Sequence, residues 1–198
     1  MGITGTNILC SQKETSGLVN QLDTDYYFSR HSHVWGWATW RRAWQHYDVE
    51  IKAWPQLKDQ RWLESKSKNC VEVSMLSQAF NNIQEGKSST WDFQWLFSLL
   101  LHNGIHIIPH NNLVSNIGCG EESTHTGSEH PFANMAANGL HFPLRHPLSV
   151  HVNEQLDMGW SQLGFYKQKY SFMQRMKKSL KKRCNKIKKV FCGKGAVG

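Results

Sequence analysis

Six of the nine tryptophans in this 198-residue chain fall in two short segments, His33 to Trp44 and Trp91 to Trp95. Tryptophan is the largest side chain, is hard to bury completely, and needs a partner for its indole N–H when it is buried. A fold must therefore either dedicate much of its core to these segments or leave indole faces at a surface. The first segment also carries Gly36, Arg41 and Arg42, and the second a single acid, Asp92. That mixture suits a pocket that stacks on a flat polar ligand such as a sugar ring. The same pattern also suits an aromatic-rich core, and the sequence leaves both readings open.

The length allows one domain with a real core. With 39% hydrophobic and 19% charged residues the chain is a folding composition rather than a disordered one. The formal charge of +8 is uneven: Arg175 to Lys194 holds ten Lys or Arg and no acid, leaving thirteen basic against fifteen acidic residues elsewhere. The body is nearly neutral, which argues against a nucleic-acid interface on it. No apolar run approaches a membrane span, and the first twenty residues lack a basic start followed by an apolar stretch. The five cysteines (Cys10, Cys70, Cys119, Cys184, Cys192) form no metal pattern and read as reduced thiols of a cytoplasmic protein. His31 and His33 would share one side of a strand, but no third ligand is suggested nearby.

Hydrophobic period and breakers predict the elements in turn. A short strand is expected near Ile3–Ile8, and a second over Asp25–Ser29. Ala38 to Tyr47 reads as a helix, with Trp37, Trp40 and Trp44 on one face at spacings of three and four. Pro55 closes the loop after it. Asp59 to Gln84 reads as one or two helices, stopped by Gly86. A hydroxyl in Ser88-Ser89-Thr90 caps a helix that opens at Trp91-Asp92 and runs through Asn103, with Gly104 ending it. Ile105–Pro109 reads as a strand, 111–134 as a long loop of the kind that carries function or is disordered, and a final helix begins near Val152. Phe172, Met176, Leu180, Cys184, Ile187 and Phe191 form the apolar stripe of a basic amphipathic helix, suited to an anionic membrane surface or an acidic partner, or to a solvated tail.

Several of these stretches resemble a known family. Tyr26-Tyr27-Phe28-Ser29-Arg30, Trp35-Gly36-Trp37-Ala38-Thr39-Trp40-Arg41-Arg42-Ala43-Trp44, Trp91-Asp92-Phe93-Gln94-Trp95 and Leu113-Val114-Ser115-Asn116-Ile117-Gly118 are similar to the second half of bacterial family 2-like glycosyltransferases, nucleotide-diphospho-sugar transferases of which some carry a hemolytic-protein label. The order also resembles, more faintly, the transferase that adds N-acetylglucosamine to start N-glycan branching. The resemblance covers roughly Gly2 to Pro147 and excludes the tail. It implies an α/β fold, the acceptor-side half of the type A glycosyltransferase sandwich with its mostly parallel sheet, here followed by a basic C-terminal helix. The expected division is 1–150 for the transferase-like half, 151–171 for a linker or helix, and 172–198 for the amphipathic tail.

In that family the other half of the fold binds the nucleotide, and a DxD-type acidic motif holds Mn²⁺ or Mg²⁺ against the diphosphate. Asp23-Thr24-Asp25 fits the letters, but it lies where the family does not place its metal motif. The resemblance therefore implies inverting sugar transfer from a nucleotide-diphospho-sugar to a glycan or other acceptor hydroxyl, with the chain as the acceptor-side half: a fragment, a truncated gene product, or one part of a split enzyme whose other half a second polypeptide supplies. Inverting transfer needs a base for the acceptor hydroxyl and a cation for the departing diphosphate. Asp92 is the candidate base, in the first turn of a helix where a dipole also favours an acid. Trp35, Gly36, Trp37, Trp91, Trp95, Asn116, Glu121 and His125 are the candidate binding residues, His125 also as a metal ligand or diphosphate contact. The alternative is a non-catalytic carbohydrate-binding or membrane-peripheral remnant, at the inner face of the membrane.

Overall fold

The computed structural model describes residues 1–88, 90–118 and 132–163. Four short strands, β1 (Gly2–Thr4), β2 (Tyr26–Ser29), β3 (Trp37–Thr39) and β4 (His106–Pro109), form one mixed sheet in the order β2-β4-β1-β3. The class is α/β, as the sequence predicts. The described sheet is not mostly parallel, however. The central pair β1 and β4 is parallel, while both edge strands run against their neighbours. The segment 30–36 carries the chain from one edge strand to the other, across three inter-strand spacings of about 4.8 Å each.

Side chains alternate across this sheet, and the two faces differ. Thr4, Tyr27, Ser29, His106 and Ile108 are buried on one face. On the other, the register aligns Ala38, Ile3, Ile107 and Phe28 in one row across all four strands, and Ile3 is 41% exposed. Val152 extends the row through a parallel bridge to Phe28.

Helices cover the buried face. After a 3₁₀ turn (Ile8–Ser11) whose N-cap Asn7 accepts from the Leu9 N–H, the helices are α1 (Lys13–Val19), α2 (Arg41–Trp44), α3 (Trp54–Asp59), α4 (Trp62–Lys66), α5 (Cys70–Gln84) and α6 (Asp92–Leu101). A last helical run, α7, occupies 154–163. The longest, α5, follows from local chemistry at both ends. The Asn69 carboxamide caps the Val71 and Glu72 N–H groups. At the other end Gly86 takes φ +66°, so that Gly86 and Lys87 donate to the Ile83 and Asn82 carbonyls in a Schellman closure. Leu76 and Phe80, one turn apart, bury its inner face.

Several expectations are corrected. Residues 37–39 are a strand rather than the start of a helix, because Trp37 pairs with Thr4 of β1; only Arg41–Trp44 is helical. Pro55 sits in the first turn of α3, where its missing N–H costs nothing, instead of closing a loop. The described start of α6 has no side-chain cap on Trp91. Its other end turns on Asn103, at φ +49°, with Gly104 donating to the Leu99 carbonyl. Ile8 begins the 3₁₀ turn and does not extend β1. His31 and His33 lie beyond β2 in irregular chain. The basic tail lies outside the described residues, as does residues 119–131 of the long loop.

The core has three parts. Ile8, Leu9, Val19, Tyr27, Ile108 and Leu156 pack between the sheet, α1 and α7. Trp54, Leu63, Leu76, Phe80 and Phe97 join α3 to α6. Ala43, Trp95 and Leu99 form the third, with Trp37 and Tyr47 against them.

Candidate functional site

The third cluster is where the two tryptophan segments meet. β3 supplies Trp37, α2 supplies Trp44, and the start of α6 supplies Trp91 and Trp95. The Trp37 and Trp91 rings stack with centroids 5.0 Å apart and planes at 27°. Trp44 lies 5.8 Å from Trp37 and 5.2 Å from Trp95, and it stacks on Tyr47 at 4.5 Å and 8°. Trp95 is fully buried as the floor, whereas Trp44 and Trp91 are 40% and 41% exposed. The result is an indole wall with two half-open faces.

Gly36 decides which tryptophans join it. Its φ of +60° is strained for any residue with a Cβ, and a Cβ there would stand 2.5 Å from Val114 Cγ1. Its carbonyl accepts from the Gly5 N–H at 2.7 Å. The missing Cβ thus admits Val114, not a ligand. The turn sends the flanking indoles to different places: Trp37 into the wall, Trp35 against the first core and His33, 4.6 Å away. Trp35 and Trp37, grouped around one pocket by the sequence reading, do not share it.

Asp92 opens α6 beside Trp91. One carboxylate oxygen accepts from the Phe93 N–H at 3.0 Å, the usual use of an acid in a first helical turn. Its charge reaches the wall: burial first, then the carboxylates of Asp92 and Asp48, push the Tyr47 hydroxyl above its ordinary pKa. Two further polar atoms of this turn, Gln94 Oε1 and Trp95 Nε1, are buried with no hydrogen-bond partner among the described residues. Beneath them His106, 6.4 Å from the Trp95 ring, is driven by burial down to a pKa of about 3, so it is neutral at any ordinary pH. Asn116 lies elsewhere, its carboxamide accepting from the Gly118 N–H at 3.0 Å and its carbonyl from Asn134 at 3.2 Å. Glu121 and His125 lie outside the described residues.

No three His, Cys, Asp or Glu side chains converge among the described residues, and His125, the candidate metal ligand, lies outside them. Asp25, from the DxD-like triplet, is held by Arg145, whose guanidinium nitrogens donate at 2.7 and 3.1 Å and whose backbone N–H donates at 2.7 Å. That hydrogen bonding keeps the carboxyl below its usual range.

Trp44 and Tyr47 complete the wall, and sequence reasoning did not place them in the site. Trp44 was read with Trp37 and Trp40 as one face of a helix, and Tyr47 as the last residue of that helix. A second constellation escaped altogether. Asp157 of α7 accepts from the Ser29 hydroxyl at 2.5 Å and from the Arg30 backbone and side chain. Glu72 of α5 accepts from Ser67 and Ser161 at 2.6 and 2.9 Å and faces His31 at 3.6 Å, with Trp160 stacked on His31 at 4.4 Å. Buried carboxylates require such partners, and these knit α5, α7 and the end of β2 together.

No family model, no curated protein and no solved structure matches the chain.

Proposed function

We propose that the chain is the acceptor-side part of a sugar transferase, in which the indole wall holds a sugar ring and Asp92 takes the proton of the attacking hydroxyl. The observation that carries the reading is the half-exposed Trp37–Trp91 stack standing at the first turn of α6, next to the Asp92 carboxylate. Sugars present apolar C–H faces that stack on indoles, while their rims need hydrogen-bond donors and acceptors. A carboxylate beside such a face is placed for general base work. In this reading the fold is the acceptor-side half of a type A glycosyltransferase, and the nucleotide-binding half with its DxD-held cation is not among these 198 residues. The resemblance gives Glu121 and His125 acceptor and diphosphate contacts in the loop. The basic stripe Phe172 to Phe191, which lies outside that resemblance, suits anionic lipid and would set the protein at the cytoplasmic face of a membrane. No helix among the described residues is long and apolar enough to cross a bilayer.

A second reading keeps the sugar and drops the chemistry. It is favoured by one detail: Asp92 already serves as first-turn acceptor for the Phe93 N–H, a role that needs no reaction.

The test is titration of the full chain with hexose and N-acetylhexosamine oligosaccharides, followed by tryptophan fluorescence and calorimetry, and with UDP- and GDP-sugars with and without Mn²⁺. Saturable glycan binding by the chain supports the wall as a sugar platform. A folded chain that binds none of them refutes it. With a donor half supplied, Asp92→Asn keeps glycan binding and abolishes transfer; retained transfer would leave the binding reading alone.

A further inference from the structure

Among the described residues the second face of the sheet is only partly covered. Ala38, Ile3, Ile107 and Phe28 line up across it, and every one is apolar. The strap 140–151 reaches only its border, where His146 meets Tyr26 with the ring nitrogen 3.0 Å from the hydroxyl. Between that strap and α2 a cleft of about 540 Å³ opens, with Phe28, Ile105 and Ile107 among its floor and Val150 and Trp40 at its sides. The solvated face of a mixed or antiparallel sheet is normally polar, whereas this row is apolar on every strand, and a contiguous exposed apolar patch marks an interaction surface.

The rim of the cleft says which kind of segment fits. Among the described residues its ionisable side chains are Arg42, His46 and His102, and no carboxylate lines it. Arg42 lies over the Trp40 ring at 5.4 Å, and the His46 and His102 rings are 4.0 Å apart. The amphipathic stripe of this same chain, Phe172 to Phe191, has a suitable apolar side, but its flanks carry Lys and Arg and no acid between Arg175 and Lys194. Set against Arg42 it would place like charges together, which disfavours a complex.

We infer that this face is a docking site for an acidic amphipathic helix of another polypeptide, its apolar stripe on the Phe28–Ile107 row and its carboxylates against Arg42 and the His46–His102 pair. The inference does not rest on sugar transfer, because the need for cover follows from the sheet alone. A helix laid in an apolar groove is read through anchors one turn apart, and the row and cleft supply the surface for them.

The test uses the full chain and three fluorescent peptides of equal length: an amphipathic Leu/Glu helix, its Leu/Lys counterpart, and a peptide of residues 172–191. Fluorescence anisotropy should show saturable binding of the Leu/Glu peptide alone, weakened about tenfold by Arg42→Glu. Arg42 is an exposed residue, so the variant keeps its fold. Ile107→Ser, checked for a retained melting transition, should weaken it as well. Binding of the Leu/Lys peptide as tight as that of the acidic one would overturn the charge argument. Tighter binding of the 172–191 peptide would make the chain's own tail the occupant. Self-association on sedimentation, lost in Ile107→Ser and indifferent to Arg42→Glu, would make it a second copy. Absence of binding by all three peptides would end the proposal. None of these outcomes depends on whether glycans bind the indole wall.

Discussion

Two aromatic clusters in this molecule use the same side chains in opposite ways. Around Trp54 the rings meet edge to face: Trp54 with Phe80 at 5.2 Å and 71°, Phe80 with Phe97 at 5.2 Å and 82°. All three are buried, and the Trp54 N–H donates to Asn81 Oδ1 at 3.1 Å. At the indole wall the rings stack nearly flat, Trp37 on Trp91 and Trp44 on Tyr47, two are about two-fifths exposed, and the buried Trp95 N–H has no partner among the described residues. Edge-to-face packing with satisfied polar atoms fills space in three dimensions. Flat stacks with open faces leave room for another flat surface. The first cluster is packed as a core; under the proposed function the second is the surface that meets a ligand.

The largest expected effect breaks the first cluster. Trp54→Ala removes a fully buried indole and strands Asn81, and should cost about 3–5 kcal/mol in urea unfolding. A loss near 1 kcal/mol would mean that the α3–α6 core can collapse onto the space, and that the contrast between the clusters is weaker than their geometry.

The next effect probes the floor of the wall by pH. His106 is buried and its folded pKa is lowered from 6.5 to about 3 by burial, so the unfolded chain binds the proton more readily. Stability from this group is complete above about pH 6.5 and is lost as pH falls toward 3, at about 1.4 kcal/mol per unit. Between pH 6.5 and 4.5 that is about 2–3 kcal/mol. His106→Gln should unfold with a shallower pH dependence over this window, while other titrating groups act equally on both proteins. Identical slopes would mean that His106 gains a proton without leaving the folded state.

How much of this was legible before the structure depends on the range of the contact. The α5 helix could be read from Leu76 and Phe80 one turn apart and from Gly86, and β2 from its run of aromatics, because those signals are local. The wall was legible as composition: the two Trp segments were expected to work together, and Trp37, Trp91 and Trp95 do meet. Its construction was not. Trp37, Trp40 and Trp44 have helical spacing, yet pairing with Thr4, far away in sequence, holds Trp37 in a strand. Gly36 was expected among the binding residues, and only the fold shows that Val114 packs where its Cβ would stand. The Ser29–Asp157 and His31–Glu72 contacts join distant positions with no periodic pattern at all.

The smallest effect on stability is the sharpest on function. Trp91→Ala removes a side chain that is 41% exposed and whose main partner is the Trp37 face. Loss of one stacked pair at the surface should cost about 1 kcal/mol or less in urea unfolding. If the wall holds sugar rings, the same change should remove the glycan-dependent fluorescence response, because half of the open surface goes with it. Trp54→Ala, measured below its unfolding transition, should leave that response in place. The two variants then separate along the line drawn by exposure: one large in stability and silent in binding, the other the reverse. Were Trp91→Ala to destabilise the chain as much as Trp54→Ala while glycan binding persisted, the wall would be a second core, and the indole faces at its surface would be packing left uncovered.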